Sequence, residues 1–206
     1  MVFCFATLSD FRTLAFEVRD YLKAHPNAAI VNLDCGLDNT GRSCDSGSCR
    51  ICNLDFPDVI AMQDQLLPAG EREENIPCDL NDCSWFEKID ASDGAVFFAA
   101  CVFYYFLTEQ VKTLVQAMVK AFPDGRLVFD TAAIQDVGSY FSISDAKNEL
   151  SPQSRNLQIS SRGYMLGYQS LDYPSVSGFF RFLAKLSDRN MKMQIVRLDF
   201  SKEAVR

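Results

Sequence analysis

The chain has 206 residues, 48% of them apolar and 12% aromatic, which suits one globular domain with a sizeable core and excludes a disordered tail protein. Lys and Arg total 20 against 27 Asp and Glu, a formal charge of -7, which is the wrong sign for gripping phosphate backbones and argues against nucleic acid as a partner. The longest apolar run, Ala95 to Leu107, is too short to cross a bilayer, and MVFCFATLSD lacks the basic stretch and cleavage site of a secretory signal; a cytoplasmic protein with no membrane partner is expected.

Phe11, Leu14, Ala15, Val18, Tyr21 and Leu22 recur at helical spacing and predict a helix over 9–24, with Ser9 as its N-cap. It ends near His25, because the following proline disfavours helix in the residue before it, and AAIVNLD at 28–34 reads as a buried strand. A glycine-containing turn follows. RICNLDF at 50–56 is a second strand, Pro57 opens a helix to about Leu67, and NIPCDL at 75–80 is a third strand.

SWFEKI at 84–89 is a short helix, GAVFFAACVF at 94–103 a fourth strand, and TEQVKTLVQAMVKAF at 108–122 an amphipathic helix whose inner face carries Leu114, Val115, Met118 and Phe122. After a turn at 123–125, RLVFDTA is a fifth strand. KNELSPQSRN at 147–156 reads as a surface connection, GFFRFLAKL as a helix and MKMQIVRLDF as a closing strand. Apolar strands alternating with crossover helices imply a doubly wound α/β domain with a mainly parallel sheet. With no repeat or linker, residues 1–206 are expected to form a single domain.

In such a sheet ligands bind at the carboxyl ends of the strands. Strand one is followed by DCGLDNTG, where Gly36 permits close backbone approach, and Asp55 ends strand two nineteen residues later. An acidic side chain there can accept hydrogen bonds from both hydroxyls of a ribose. Asp79 and Leu80, after strand three, suit the edge and face of an adenine. Each has a plainer explanation: Gly36 as a turn residue, Asp55 as a helix cap, Asp79 as a loop closure. Their joint placement favours a nucleoside-shaped cleft, while spacing alone does not separate nicotinamide dinucleotides from S-adenosylmethionine. A full GxGxxG is absent.

The stretches FRTLAFEVRDYLKAHPNAAIVNLDCGLD, CNLDFPDVI, CDLNDCSWF, CVFYYFLTEQV and GRLVFD resemble the bacterial S-adenosylmethionine-dependent O-methyltransferases related to leucine carboxyl methyltransferases and polyketide O-methyltransferases. The likeness runs from about Phe11 to Ala132. It implies a class I, Rossmann-like methyltransferase fold with seven strands, S-adenosylmethionine as cofactor and an oxygen of a small molecule as acceptor, a carboxylate being one option. It further implies that Arg12 pairs with the methionine carboxylate, that Gly36 lies beneath the methionine portion, and that Asp55, with Phe56 beside it, holds the ribose. Asp79 and Leu80 would contact adenine, and Cys101 to Tyr105 would line the cleft near the sulfonium. Asp34 stands on the same edge where relatives carry Gly, and Ala100 where they often carry an acid. The region before the first helix and the connection after Thr131 are shorter than in relatives. A catalytically degenerate binding or regulatory subunit therefore stays open as an alternative, as does a homodimer. No catalytic residue is assigned: a carboxylate acceptor needs no base, and the one histidine, His25, is expected on the edge opposite the cleft.

The eight cysteines are expected to be reduced thiols. Cys44, Cys49, Cys52 and Cys83 match a plant-type iron–sulfur spacing, but Cys52 falls inside a predicted strand, and no metal is expected.

Overall fold

A computed structural model describes residues 8–131, 140–143, 145–150, 156–163 and 194–201, without the side chains of 8–12, 162 and 163. Seven strands form one sheet in the order β3-β2-β1-β4-β5-β7-β6. They are β1 (Ala29–Leu33), β2 (Arg50–Asp55), β3 (Glu73–Pro77), β4 (Ala95–Ala99), β5 (Arg126–Thr131), β6 (Leu157–Gly163) and β7 (Gln194–Phe200). The first five pair in parallel. β7 runs antiparallel to both β5 and β6, so the sheet is mixed.

Residues alternate between the two faces. Ala29, Val31 and Leu33 of β1, with Phe97 of β4 and Phe129 of β5, join one core cluster. Ile30, Val96, Phe98 and Val128 join the other. Both faces are covered, so the central strands must be apolar at every position, which is why they read as uninterrupted apolar runs. Helix α4 (Thr108–Ala121) packs Val111, Leu114, Val115 and Met118 into the first cluster, and fully buried Trp85 stacks on Phe122 and meets Phe86 and Phe97 edge to face.

Helix α1 (Leu8–Leu22) covers the other face. Buried Arg126, at the start of β5, fastens it: its guanidinium lies 3.5 Å from Glu17, 3.2 Å from Asp20 and 2.6 Å from Asp199, and it donates to the Glu17 carbonyl at 3.0 Å. Arg197 of β7 reaches the same three carboxylates. A buried arginine needs this density of acceptors, because desolvation would otherwise exceed its Coulomb gain.

Several expectations need correction. Helix α1 begins at Leu8, so Ser9 lies inside it rather than capping it. β3 spans Glu73–Pro77, earlier than expected, because the chain turns out of the sheet after Pro77. The turn after β1 contains a short helix, α2 (Thr40–Cys44), and the expected surface connection begins with another, α5 (Ala146–Leu150). Helix α3 (Pro57–Leu66) opens with the proline as expected, and the short helix at Cys83–Lys88 is a 3-10 turn. The expected helix GFFRFLAKL lies outside the described residues. Among those described, no helix is long and apolar enough to cross a membrane.

Candidate functional site

The strand order reverses direction between β1 and β4, and at such a switch point the strand ends leave a crevice. β1 and β4 pair up to Leu33↔Ala99. Beyond that pair both chains turn away through left-handed residues, Asp34 at φ 54° and Gly36 at φ 53° after β1, and Cys101 at φ 60° after β4. A side chain at Gly36 would meet no protein atom within 4 Å, so the space over this turn is open while its φ favours glycine.

Asp55, at the end of β2, is buried. Its Oδ2 accepts from the Gly36 amide at 2.8 Å and its Oδ1 from the Phe56 amide at 2.7 Å. The N-cap of α3 is Phe56 and no side chain caps that helix, so Asp55, which reaches only the Phe56 amide, is not its cap. Each oxygen has a second lone pair, so a fixed carboxylate remains able to accept from two further donors.

Asp79 is exposed, and its Oδ1 accepts from the backbone and side-chain nitrogens of Asn81, both at 2.9 Å, so it does close its own loop. Leu80 is buried and borders a cavity of about 280 Å³ with Asn81, Cys83, Gln110 and Leu114. Gln110 ties that wall together by donating to Asn81 at 2.9 Å. Tyr105 and Phe56 are exposed on the same edge of the sheet, as is Leu37.

A larger cavity, about 770 Å³, opens between α1, the end of β1 and α2. Asp34, Cys35 and Ala100 border it at the sheet edge, Arg19 and Ser43 farther along. Its floor is a polar network absent from the sequence reading: buried Asn32 donates to Asp38 at 3.1 Å, and the other Asp38 oxygen accepts from the Thr40 amide and hydroxyl at 2.9 and 2.7 Å. An asparagine inside an otherwise apolar strand is the signal that could have found it. Arg12 belongs to α1, but its side chain lies outside the described residues.

Electrostatically the edge is acidic. Burial pushes the Asp34 carboxyl up to about 6, and the charges of Asp55 and Asp79 add to the rise. Burial likewise drives the Cys35 thiol up to about 12, with Asp55 contributing; Cys35 donates to Gln63 at 3.3 Å and is no nucleophile. His25 stacks on Tyr21, ring centroids 4.4 Å apart, beside Gly94 at the opposite edge. Among the described residues six cysteines are free thiols, whereas Cys101 is disulfide-bonded, which corrects the expectation that all are reduced. Cys44 and Cys49 pack on the α1 face and Cys52 on the other, so the iron–sulfur spacing does not bring its sulfurs together.

Solved methyltransferases share this fold. The chain superposes on the plantazolicin methyltransferase BamL, solved with a triazolic desmethylPZN analogue and SAH, with a TM-score of 0.64 over 96% of this chain and 86% of that one at 11% identity. For the N-methyltransferase NodS from Bradyrhizobium japonicum the TM-score is 0.59, covering 93% and 96% at 15% identity.

Residues 10–119 match the leucine carboxyl methyltransferase family, and the chain belongs to it. It is 23% identical over 129 residues to the tetracenomycin polyketide synthesis O-methyltransferase TcmP of Streptomyces glaucescens, a match over 59% of this chain. The chain spans about half the length of that curated relative, 48%.

Proposed function

We propose that the chain binds S-adenosylmethionine across the ends of β1, β2 and β4 and transfers its methyl group to an oxygen of a small-molecule acceptor. The observation that carries this reading is the Asp55 carboxylate, held by the Gly36 and Phe56 amides with acceptor capacity to spare for a ribose diol. The acidic edge supports the choice of cofactor. Asp34, Asp55 and Asp79 favour a ligand bearing an ammonium and a sulfonium and oppose the diphosphate of a nicotinamide dinucleotide.

Bound there, S-adenosylmethionine supplies an electrophilic methyl group with a good leaving group. Asp55 fixes the sugar, Leu80 offers an apolar face to adenine, and the cavity beside Asp34 and Ala100 receives the methionine end and the acceptor. Arg12, on α1, is assigned the methionine carboxylate. Holding the two reactants in line and out of water can contribute ~7 kcal/mol or more, which is most of what this chemistry asks of a protein. A carboxylate acceptor fits a site with no histidine on this edge. Exposed Leu37, Phe56 and Tyr105 point to an acceptor with apolar or aromatic surface. TcmP supports oxygen as the receiving atom; NodS, by name an N-methyltransferase, shares the fold, so the fold alone does not decide it.

A second reading, nucleoside binding without turnover, is favoured by Asp34, which turns a half-buried carboxylate into the cavity. Calorimetry with S-adenosylhomocysteine and with oxidised nicotinamide dinucleotide tests the first reading: heat with the former alone is expected, and heat with the latter alone contradicts it. Transfer of labelled methyl groups to small acceptors then separates turnover from binding.

A further inference from the structure

Asp130, the penultimate residue of β5 and the last of the GRLVFD stretch, is a carboxylate only 3% exposed to which sequence alone assigns no role. Its Oδ1 accepts the Cys101 amide at 2.6 Å, a short, charge-assisted bond. Cys101 sits at φ 60°, a conformation that costs a residue with a Cβ and is sustained only where its surroundings enforce it. Continued straight from Leu33↔Ala99, β4 would set Ala100 beside Asp34 and Cys101 beside Cys35, roofing the crevice with backbone. Instead the chain turns at Cys101 into the 3-10 turn Phe103–Tyr105. Asp130 thus grips the chain where it leaves β4.

We propose that Asp130 is a positioning residue: by holding the Cys101 amide it bends the chain out of β4 and keeps the crevice above the β1–β4 boundary clear for the adenosyl thioether. The ligand half of this inference rests on the proposed function; the backbone half does not.

The test pairs Asp130→Asn, which keeps an oxygen acceptor, with Asp130→Ala, which has none. Amide hydrogen exchange at Cys101 is measured by NMR and S-adenosylhomocysteine affinity by calorimetry. The alanine variant loses protection at that amide and binds about tenfold more weakly, while the asparagine variant stays within about threefold of the native chain. Glycine adopts positive φ freely, so adding Cys101→Gly to Asp130→Ala restores most of the affinity and adding Cys101→Val does not. Both Cys101 changes remove the disulfide equally, and amide protection at residue 101, measured in each, separates the backbone effect from valine's bulk beside the cleft.

Should Asp130→Ala not fold, Cys101→Gly and Cys101→Val are compared with Asp130 intact, and the valine variant binds more weakly. Unchanged protection in a folded Asp130→Ala, native affinity in it, or equal affinities of the glycine and valine variants would overturn the proposal. If the native chain binds no S-adenosylhomocysteine, the functional reading fails, and Cys101 protection alone decides whether Asp130 sets the turn.

Discussion

The Gly36 amide donates to Asp55 Oδ2 across 2.8 Å, joining the turn after β1 to the end of β2. One hydrogen bond thereby fixes both the residue with open space above it and the carboxylate beside that space. Gly36 holds φ 53°, where an L-side chain costs about 1–2 kcal/mol. Gly36→Ala is expected to lower stability by about that amount in urea unfolding and to weaken S-adenosylhomocysteine binding in calorimetry, although the added methyl meets no protein atom.

Asp34 gives a pH dependence of definite sign. Its carboxyl is raised from 3.8 to about 6 by burial, then by Asp55 and Asp79, so the folded state holds the proton more tightly than the unfolded chain. The stability this represents is fully present below about pH 4 and lost as pH rises through about 6. Asp34→Asn should therefore raise the melting temperature at pH 7–8. The gain is about 1 kcal/mol once solvent screening is discounted, and thermal melts near pH 3.5 should show almost none.

Arg126 fastens α1 to the sheet through Glu17, Asp20 and Asp199. Removing it takes from Glu17, 1% exposed, one of the two guanidinium groups of the sheet that reach it, Arg197 being the other. Arg126→Met is expected to cost about 3–5 kcal/mol in denaturant unfolding. Lys23→Met, which removes an exposed pair with Asp20, should cost under about 1 kcal/mol.

Much of the sheet was legible because β1, β2, β4 and β5 are buried on both faces, and a run such as Ala95–Ala99 has few alternatives. Edge strand β3 is not: only Ile76 in it is buried, so the expected strand slid onto Cys78–Leu80. Helices α2 and α5 have five residues each, too few to show a period. That Asp55 and Gly36 lie together at adjoining strand ends was legible, because strand ends follow from the apolar runs. Asp130 and Arg126 were not, because their partners lie 29 and 73 to 109 residues away and carry no local pattern. The left-handed turn at Cys101 has no residue signal at all, since glycine or asparagine would have announced it and cysteine does not.

The central claim is that the Asp55 carboxylate grips a ribose diol, and the dissociation constant of S-adenosylhomocysteine for the native chain against Asp55→Asn tests it most directly. The amide replacement keeps the shape but loses one acceptor and the charge and sets an NH2 against the Gly36 or Phe56 amide, so affinity should fall about tenfold to a hundredfold while the protein stays folded at the cost of about 1–3 kcal/mol. Equal dissociation constants for two folded proteins would contradict the account.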